Sequence, residues 1–424
     1  APIMYALYAN HLRFDPKNPE YFNRDRFVMS AGHGSALLYA TLHMAGMNIT
    51  SEDLENFRRY GYKTPGHPEL GVTPGVDVST GPLGQGIATA VGLALGEKML
   101  EARFKIGEDK KRSLFNYRVY ALVGDGDLME GVAYEAASFA ANHGLNNLIV
   151  LYDSNNVTLD GNKKITFTEN VSERFRAMGW HVEFVKDGNS VSEINEAINK
   201  CKQAVRPGFI QVVTTIAQDT ELAGDHKSHG YVFNVDEIKK IKARLGVTDE
   251  PFYVSELAAN AFKESIRNRS NKKYEQWAVD YKDYVNSRKD FDISELKAIF
   301  DENINLTLNQ DVLKYIKYSG EKQSMRETNH QIMQFIAERL SNFVGGGADV
   351  ASSTKTFIAD SKAVNYQDFS GRNINFGVRE HAMGAMLNGI ALTNFRCFGS
   401  TFLSINENLL RTLLSALCIG VPST

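Results

Sequence analysis

Gly124-Asp125-Gly126 and, thirty residues after the aspartate, Asn155-Asn156 are positions where this sequence could do chemistry. Each follows a run of apolar, β-branched or aromatic residues, so both fall at the carboxyl ends of strands, where open parallel sheets bind ligands. Glycine lets the backbone approach a diphosphate closely, and a helix expected from about Leu128 would aim the positive end of its dipole at that charge. Asp125 offers a carboxylate and Asn155 an amide oxygen, hard donors that Mg2+ accepts while diphosphate oxygens and water complete its octahedron. Taken alone, Gly-Asp-Gly reads as a turn and Asn-Asn as a loop. Their pairing at two strand ends favours a magnesium diphosphate site. His33, His67 and His226 stand among glycines and prolines in loops, where an imidazole can face a cleft and carry protons near neutral pH. His226 and His229 are three apart, but no cysteine or second histidine pair lies nearby to complete a zinc site. His229 reads equally well as a loop cap. His11, His43, His143, His181, His330 and His381 read as structural.

The elements that must position these groups alternate strand with helix. Strands are expected over Phe115–Val123, Leu148–Tyr152, Trp180–Val185 and Phe209–Ile216, and helices over Leu128–His143 and Val191–Val205. That alternation predicts an α/β fold, a parallel sheet with helices on both faces. From about Val247 to Asn309 the chain is charged and helical in pattern. A linker is placed there, near residue 290, dividing a first domain (1–290) from a second, incomplete one (291–424). The second opens with an amphipathic helix after Thr328, followed by the Gly345–Gly347 cluster and renewed strand-helix alternation. Both ends look cut, which predicts an incomplete chain.

Composition narrows the class. Lys+Arg number 47 against 50 Asp+Glu, so the net charge of −3 leaves no global field for nucleic acid or an anionic membrane, and an anionic ligand must be held locally. Three cysteines, Cys201, Cys397 and Cys418, are too few and scattered for a disulfide framework, which fits a reducing, cytoplasmic compartment. No run of eighteen apolar residues occurs, and the mean hydropathy is −0.29, so a spanning helix and a signal peptide are not expected.

Six separated motifs resemble transketolase, a family within the thiamine diphosphate-dependent superfamily. They are Asp25-Arg-Phe-Val-Met-Ser-Ala-Gly-His-Gly-Ser35, Lys63-Thr-Pro-Gly-His-Pro-Glu69, Thr80-Gly-Pro-Leu-Gly-Gln-Gly86, Gly124-Asp-Gly-Asp-Leu-Met-Glu-Gly131, Ala223-Gly-Asp-His-Lys-Ser-His-Gly230 and Phe376-Gly-Val-Arg-Glu-His-Ala-Met383. The resemblance covers nearly the whole chain, and Lys63–Glu69 argues against the related deoxyxylulose phosphate synthases. It implies a diphosphate-binding domain, a pyrimidine-binding domain and a third domain absent from this chain. It also implies a cytoplasmic homodimer with active sites at the subunit interface. The expected cofactors are thiamine diphosphate and Mg2+, with Ca2+ a possible substitute. The expected reaction moves a glycolaldehyde unit from a ketose phosphate to an aldose phosphate in the pentose phosphate pathway, in ping-pong order through a dihydroxyethyl intermediate.

Residue roles follow from the same resemblance. Glu380 would bond the aminopyrimidine nitrogen, a role suited to a buried carboxyl with a raised pKa; its alternative is a surface ion pair with Arg379. Glu130 would link the two active sites across the dimer, or else be an ordinary first-turn helix acid. His33 and His226 would touch diphosphate and substrate hydroxyls, and His67 would work beside the reactive carbon. Gly81, Leu83, Gly124, Asp125, Gly126, Asn155, Leu159, Asp349 and Phe402 would contact the cofactor, and Asp125, Asn155 and Val157 would ligate the metal. Arg326 and Ser353 would bind substrate phosphate, a guanidinium fork meeting it bidentately; their alternatives are a helix-surface arginine and a loop serine.

Ile405 stands where the family usually has a second aromatic, and Asn408 replaces a usual tyrosine. The chain also stops before the family's next substrate-binding loop. These departures keep open a non-catalytic or regulatory cofactor-binding paralogue, and the residues do not separate transketolase from dihydroxyacetone synthase.

Overall fold

A computed structural model describes residues 1–107, 111–287, 290–300, 315 and 322–402. Ile405 and Asn408 lie outside the described residues. The principal elements in chain order are α1 (Pro2–Asn10), β1 (Arg26–Met29), α2 (Ser35–Ala45), α3 (Gln85–Arg103), β2 (Val119–Val123), α4 (Gly131–Asn142), β3 (Leu148–Ser154), α5 (Val171–Met178), β4 (His181–Val185), α6 (Val191–Gln203), β5 (Gly208–Val213), α7 (Val235–Arg244), α8 (Glu256–Ser287), α9 (Met325–Arg339), β6 (Phe343–Gly347), α10 (Glu380–Ala391) and β7 (Arg396–Ser400). The chain divides into two compact units. The first comprises Ala1–Ile87, Tyr117–Tyr134 and Asn146–Glu275; the second comprises Ala88–Asn116, Glu135–Leu145 and the chain from Gln276 on.

The first unit holds a five-stranded sheet in the order β1-β2-β3-β5-β4. Every pairing in it is parallel. Its central strands, VYALV and LIVLY, are buried throughout, as continuous apolar runs in a sheet covered on both faces must be. On one face Phe27, Met29, Tyr120, Leu122, Ile149, Leu151, Ile210 and Val212 join residues of α1, α2 and α6 in one core. On the other, Phe209 stacks on Phe175 of α5 with ring centroids 3.8 Å apart. The buried carboxylate of Asp25 accepts from the backbone N–H of Arg13 (3.0 Å) and of Arg118 (2.8 Å), fixing the entry to β1 and β2. The expected strand from Phe115 starts only at Val119, because Phe115 turns its amide to Ser113 Oγ and its ring edge-on to Phe104.

The second unit contains the parallel pair β6-β7, extended by a bridge from Gly345 to Asn373. The Gly345–Gly347 cluster is thus strand. A Cβ at Gly345 would lie 2.0 Å from the carbonyl oxygen of Phe398, and one at Gly346 would lie 1.8 Å from that of Ile374. Glycine is there because neighbouring backbones come that close.

In the same unit α3 and α10 cross backbone to backbone. A Cβ at Gly92 would meet the Met386 carbonyl at 2.0 Å, and one at Gly389 would meet the Thr89 carbonyl at 2.1 Å. Gly92→Ala is therefore expected to cost about 1–3 kcal/mol despite alanine's better helix propensity, since overpacking outweighs the propensity gain. A thermal melt reads this directly, and an unchanged midpoint would mean that the two helices separate without penalty.

Candidate cofactor site

Three loops of the first unit are tied to one buried side chain. Asp127 accepts from Gly124 N–H (3.0 Å), from Gly84 N–H (2.9 Å) and from the Ser30 hydroxyl (2.7 Å). Ser30 Oγ in turn accepts from Ile87 N–H at 3.0 Å, and the Thr80 hydroxyl donates to Met29 O at 2.7 Å. Burial raises the Asp127 carboxyl's pKa, while its three donors pull it down. The motifs around Ser30, Gly84 and Gly124, far apart in sequence, are thereby held at the ends of β1 and β2.

Asp127 also explains why no helix starts at Leu128. Its carboxylate folds Gly124–Asp127 into a turn, Asp127–Met129 form a single 3-10 turn, and Glu130 is extended (ψ 132°) before α4 begins at Gly131. Glu130 is thus exposed and precedes the helix rather than sitting in its first turn. Gly84, at φ +78°, packs against it; a Cβ there would come 2.7 Å from Glu130 Cβ.

Asp125 is buried, and both of its oxygens are engaged. Oδ1 accepts from the Tyr152 hydroxyl and lies 3.1 Å from Lys163 Nζ; Oδ2 accepts from Asn156 N–H at 3.1 Å. Burial, and then the nearby Asp125 carboxylate, raise the Tyr152 phenol's pKa, which keeps it a donor. Asn155 Oδ1 accepts from Val157 N–H at 3.0 Å, and its amide donates to Asp153 at 3.3 Å. Among the described residues no group of three or more His, Cys, Asp or Glu could hold a metal ion. By residue type, Asp125, Asn155 and the Val157 carbonyl offer hard oxygens of the kind Mg2+ accepts, with both Asp125 oxygens and Asn155 Oδ1 engaged by groups of the chain itself. Gly126 packs against Leu83, a Cβ on Gly126 falling 2.9 Å from Leu83 Cδ1. Leu159 is 70% exposed at the tip of the hairpin between Val157–Thr158 and Gly161–Asn162.

His33 follows β1 in a short turn and its ring stands 5.0 Å from that of His229. His67 is held by α2, where the Tyr39 hydroxyl donates to Pro65 O (2.9 Å) and to His67 O (3.0 Å) and the Ser35 hydroxyl donates to Gly66 O (2.8 Å). A Cβ at Gly81 would touch the His67 ring at 3.7 Å. His226 turns to Asp225, 3.2 Å away. Desolvation, with His229 and His67 nearby, lowers the His33 pKa below its usual 6.5. A raised unfolded-state preference for protonation follows, so the His33 C2 proton is expected to titrate with a midpoint below about 6.5 in an NMR pH series. A midpoint at or above that value would mean that burial does not govern the ring.

Structural roles fit most of the remaining histidines. His11 lies between Asn195 and Lys202, pushed down to about 4 by burial and then by the lysine. His43, His143 and His330 each bond a backbone carbonyl.

In the second unit Glu380 opens α10, half-buried rather than buried. Arg379 donates to Phe376 O (3.0 Å) and to Ser138 Oγ (3.1 Å), and among the described residues it forms no ion pair with Glu380. The first turn of α10 has no side-chain cap of its own; Ala382 N–H donates to Glu135 Oε2 at 3.0 Å instead. Arg326 and Ser353 are brought together on the surface, Arg326 Nη1 donating to the Ser353 carbonyl at 3.2 Å. Asp349, in the left-handed region at φ 60°, follows β6, and Phe402, 44% exposed, follows β7. Sequence reasoning missed Asp127, Tyr152, Lys163 and Glu135; only their nearness to the motifs could have flagged the first and last.

Residues 1–305 match the family model "Transketolase, thiamine diphosphate binding domain", and residues 321–411 match "Transketolase, pyrimidine binding domain". The chain belongs to the transketolase family. Transketolase of Bacillus subtilis is 42% identical over the whole chain, which spans 63% of that protein. Transketolase of Aquifex aeolicus is 39% identical over 96% of the chain, which spans 58% of it. Among solved structures, Pichia stipitis transketolase in complex with sedoheptulose 7-phosphate superposes with a TM-score of 0.92 at 33% identity, over 99% of this chain and 63% of that one. Campylobacter jejuni transketolase gives 0.86 at 37% identity, over 98% and 62%. The chain therefore spans less than two thirds of the transketolases it matches. The α/β fold with a parallel sheet and covering helices agrees with these structures.

Proposed function

We propose that the protein is a transketolase, dependent on thiamine diphosphate and Mg2+, that transfers a glycolaldehyde unit from a ketose phosphate to an aldose phosphate in ping-pong order within the pentose phosphate pathway. The observation that carries this reading is the convergence on Asp127 of the Ser30 loop after β1, the Gly84 loop and the Gly124–Gly126 turn after β2 that contains Asp125. The family's homodimer with shared active sites, a cytoplasmic setting and the division into two cofactor-binding domains near residue 290 belong to the same proposal.

Bound thiamine diphosphate supplies a carbanion centre at its thiazolium carbon. Gly124 and Gly126 would admit the diphosphate to the backbone, while Asp125, Asn155 and the Val157 carbonyl would hold Mg2+ against it. Leu83, Gly81 and Leu159 would bound the ring system, and Asp349 and Phe402 the pyrimidine side. Glu380 would hold a proton at the pyrimidine nitrogen, and Glu130 would couple the two sites of a dimer. His33, His67 and His226 would donate to substrate oxygens, with His33 entering as a neutral ring that can accept a proton. Calorimetric titration of the protein with thiamine diphosphate in Mg2+ tests this reading; saturable binding is expected, and its absence would contradict it.

Arg326 and Ser353 would grip the substrate's phosphate. Arg326→Ala is expected to raise the apparent KM for phosphorylated donors by about tenfold or more, the scale of one charge-assisted hydrogen bond, while barely changing reaction with hydroxypyruvate. Equal damage to both donors would make Arg326 a support of the fold.

A further inference from the structure

Lys163 occupies an unexpected place. It lies in Asn162-Lys163-Lys164 just after a hairpin, where lysines ordinarily face water, and Lys164 does. The Lys163 side chain is instead only 11% exposed, and its ammonium stands 3.1 Å from Asp125 Oδ1 and 3.1 Å from the Tyr152 hydroxyl. The Tyr152 and Phe167 rings flank it at 5.8 and 6.0 Å. The backbone enforces this position: Asn156, left-handed at φ 63°, gives its N–H to Asp125 and takes the Lys163 N–H on its carbonyl at 2.9 Å. Burying an ammonium costs several kcal/mol of hydration unless a partner compensates, and here the partner is the carboxylate assigned to the metal. An ammonium has three donors, of which these contacts use two.

We propose that Lys163 is a built-in counter-cation of the diphosphate site, partly substituting for a divalent metal in neutralising the cofactor's diphosphate. This rests on the thiamine diphosphate reading above and goes beyond it. Two consequences follow from charge alone. Cofactor binding retains part of its strength without metal, because the ammonium, which Asp125 neutralises in the free protein, can turn its charge to the diphosphate when the cofactor binds. A divalent ion binds Asp125 against the competition of the ammonium, so its intrinsic affinity is lowered.

The test is calorimetric titration of thiamine diphosphate into the protein in EDTA and in saturating Mg2+, for wild type, Lys163→Met and Lys163→Arg, with Mn2+ binding to the cofactor-free proteins read by electron paramagnetic resonance. Wild type and Lys163→Arg are expected to bind in EDTA. Lys163→Met is expected to lose about tenfold or more in EDTA, to stay within a few-fold of wild type in Mg2+ and to bind Mn2+ more tightly. Equal losses in both media, or unchanged affinity in EDTA, would overturn the role of Lys163. Should Lys163→Met fail to fold, wild type decides: binding confined to Mg2+ overturns the proposal, and binding in both media supports it. No binding in either medium would overturn the cofactor reading itself, and this one with it.

Discussion

Glu380→Gln is expected to reduce turnover by about a hundredfold or more while leaving thiamine diphosphate affinity within a few-fold of wild type. The substitution keeps the size and hydrogen-bonding reach of the side chain and removes only its capacity to hold and release a proton, and a positioned acid-base group contributes on that scale. The structure makes the variant clean. Arg379 is bound to Phe376 O and Ser138 Oγ, and the Ala382 N–H in the first turn of α10 is taken by Glu135, so none of these contacts uses the charge at position 380. Steady-state kinetics at saturating cofactor would read the effect. Near-normal turnover would assign Glu380 a structural role.

Asp125→Asn is expected to abolish the enhancement of cofactor binding by Mg2+, a loss of at least about tenfold in apparent affinity measured in Mg2+, and to leave the weaker binding in EDTA largely intact. Asparagine keeps the size of the side chain and one acceptor oxygen, for either the Tyr152 hydroxyl or the Asn156 amide but not both, and lacks the charge that a divalent ion needs. Asp125→Ala would do more harm, because it strands the buried Lys163 ammonium with the Tyr152 hydroxyl alone; breaking a buried pair from one side costs about 3–5 kcal/mol. Titration of the asparagine variant in both media checks the assignment. A full Mg2+ enhancement would show that the metal is held elsewhere.

The strand ends that carry the candidate site are legible in the sequence because they rest on local signals. The runs ending at Val123 and Tyr152 are continuous, β-branched and apolar, which only a doubly covered parallel strand requires, and the motifs that follow them contain glycine where a turn is needed. What the sequence conceals is non-local. Asp127 reads as one more acid in a turn, and nothing in its neighbourhood announces that Ser30 and Gly84 donate to it from far along the chain. Lys163 reads as a solvated lysine because its burial depends on the left-handed Asn156 and on Tyr152. Gly345–Gly347 reads as a break in regular structure, since local composition does not reveal that the Phe398 and Ile374 carbonyls press against it. The helix expected from Leu128 starts three residues late for the same reason: the buried Asp127 carboxylate folds Gly124–Asp127 into a turn, and Glu130 is extended before the helix begins at Gly131. Glu135 could not be paired with the Ala382 amide from sequence, although a missing cap at Arg379 hints that α10 needs an outside acceptor.

Two-carbon transfer between sugar phosphates with thiamine diphosphate as cofactor is tested by incubating the protein with xylulose 5-phosphate and ribose 5-phosphate, with and without thiamine diphosphate, and following the products by mass spectrometry. Sedoheptulose 7-phosphate and glyceraldehyde 3-phosphate are expected in equal amounts, only with the cofactor present. Tight cofactor binding with neither product formed would contradict the catalytic reading and leave a cofactor-binding protein without transfer activity.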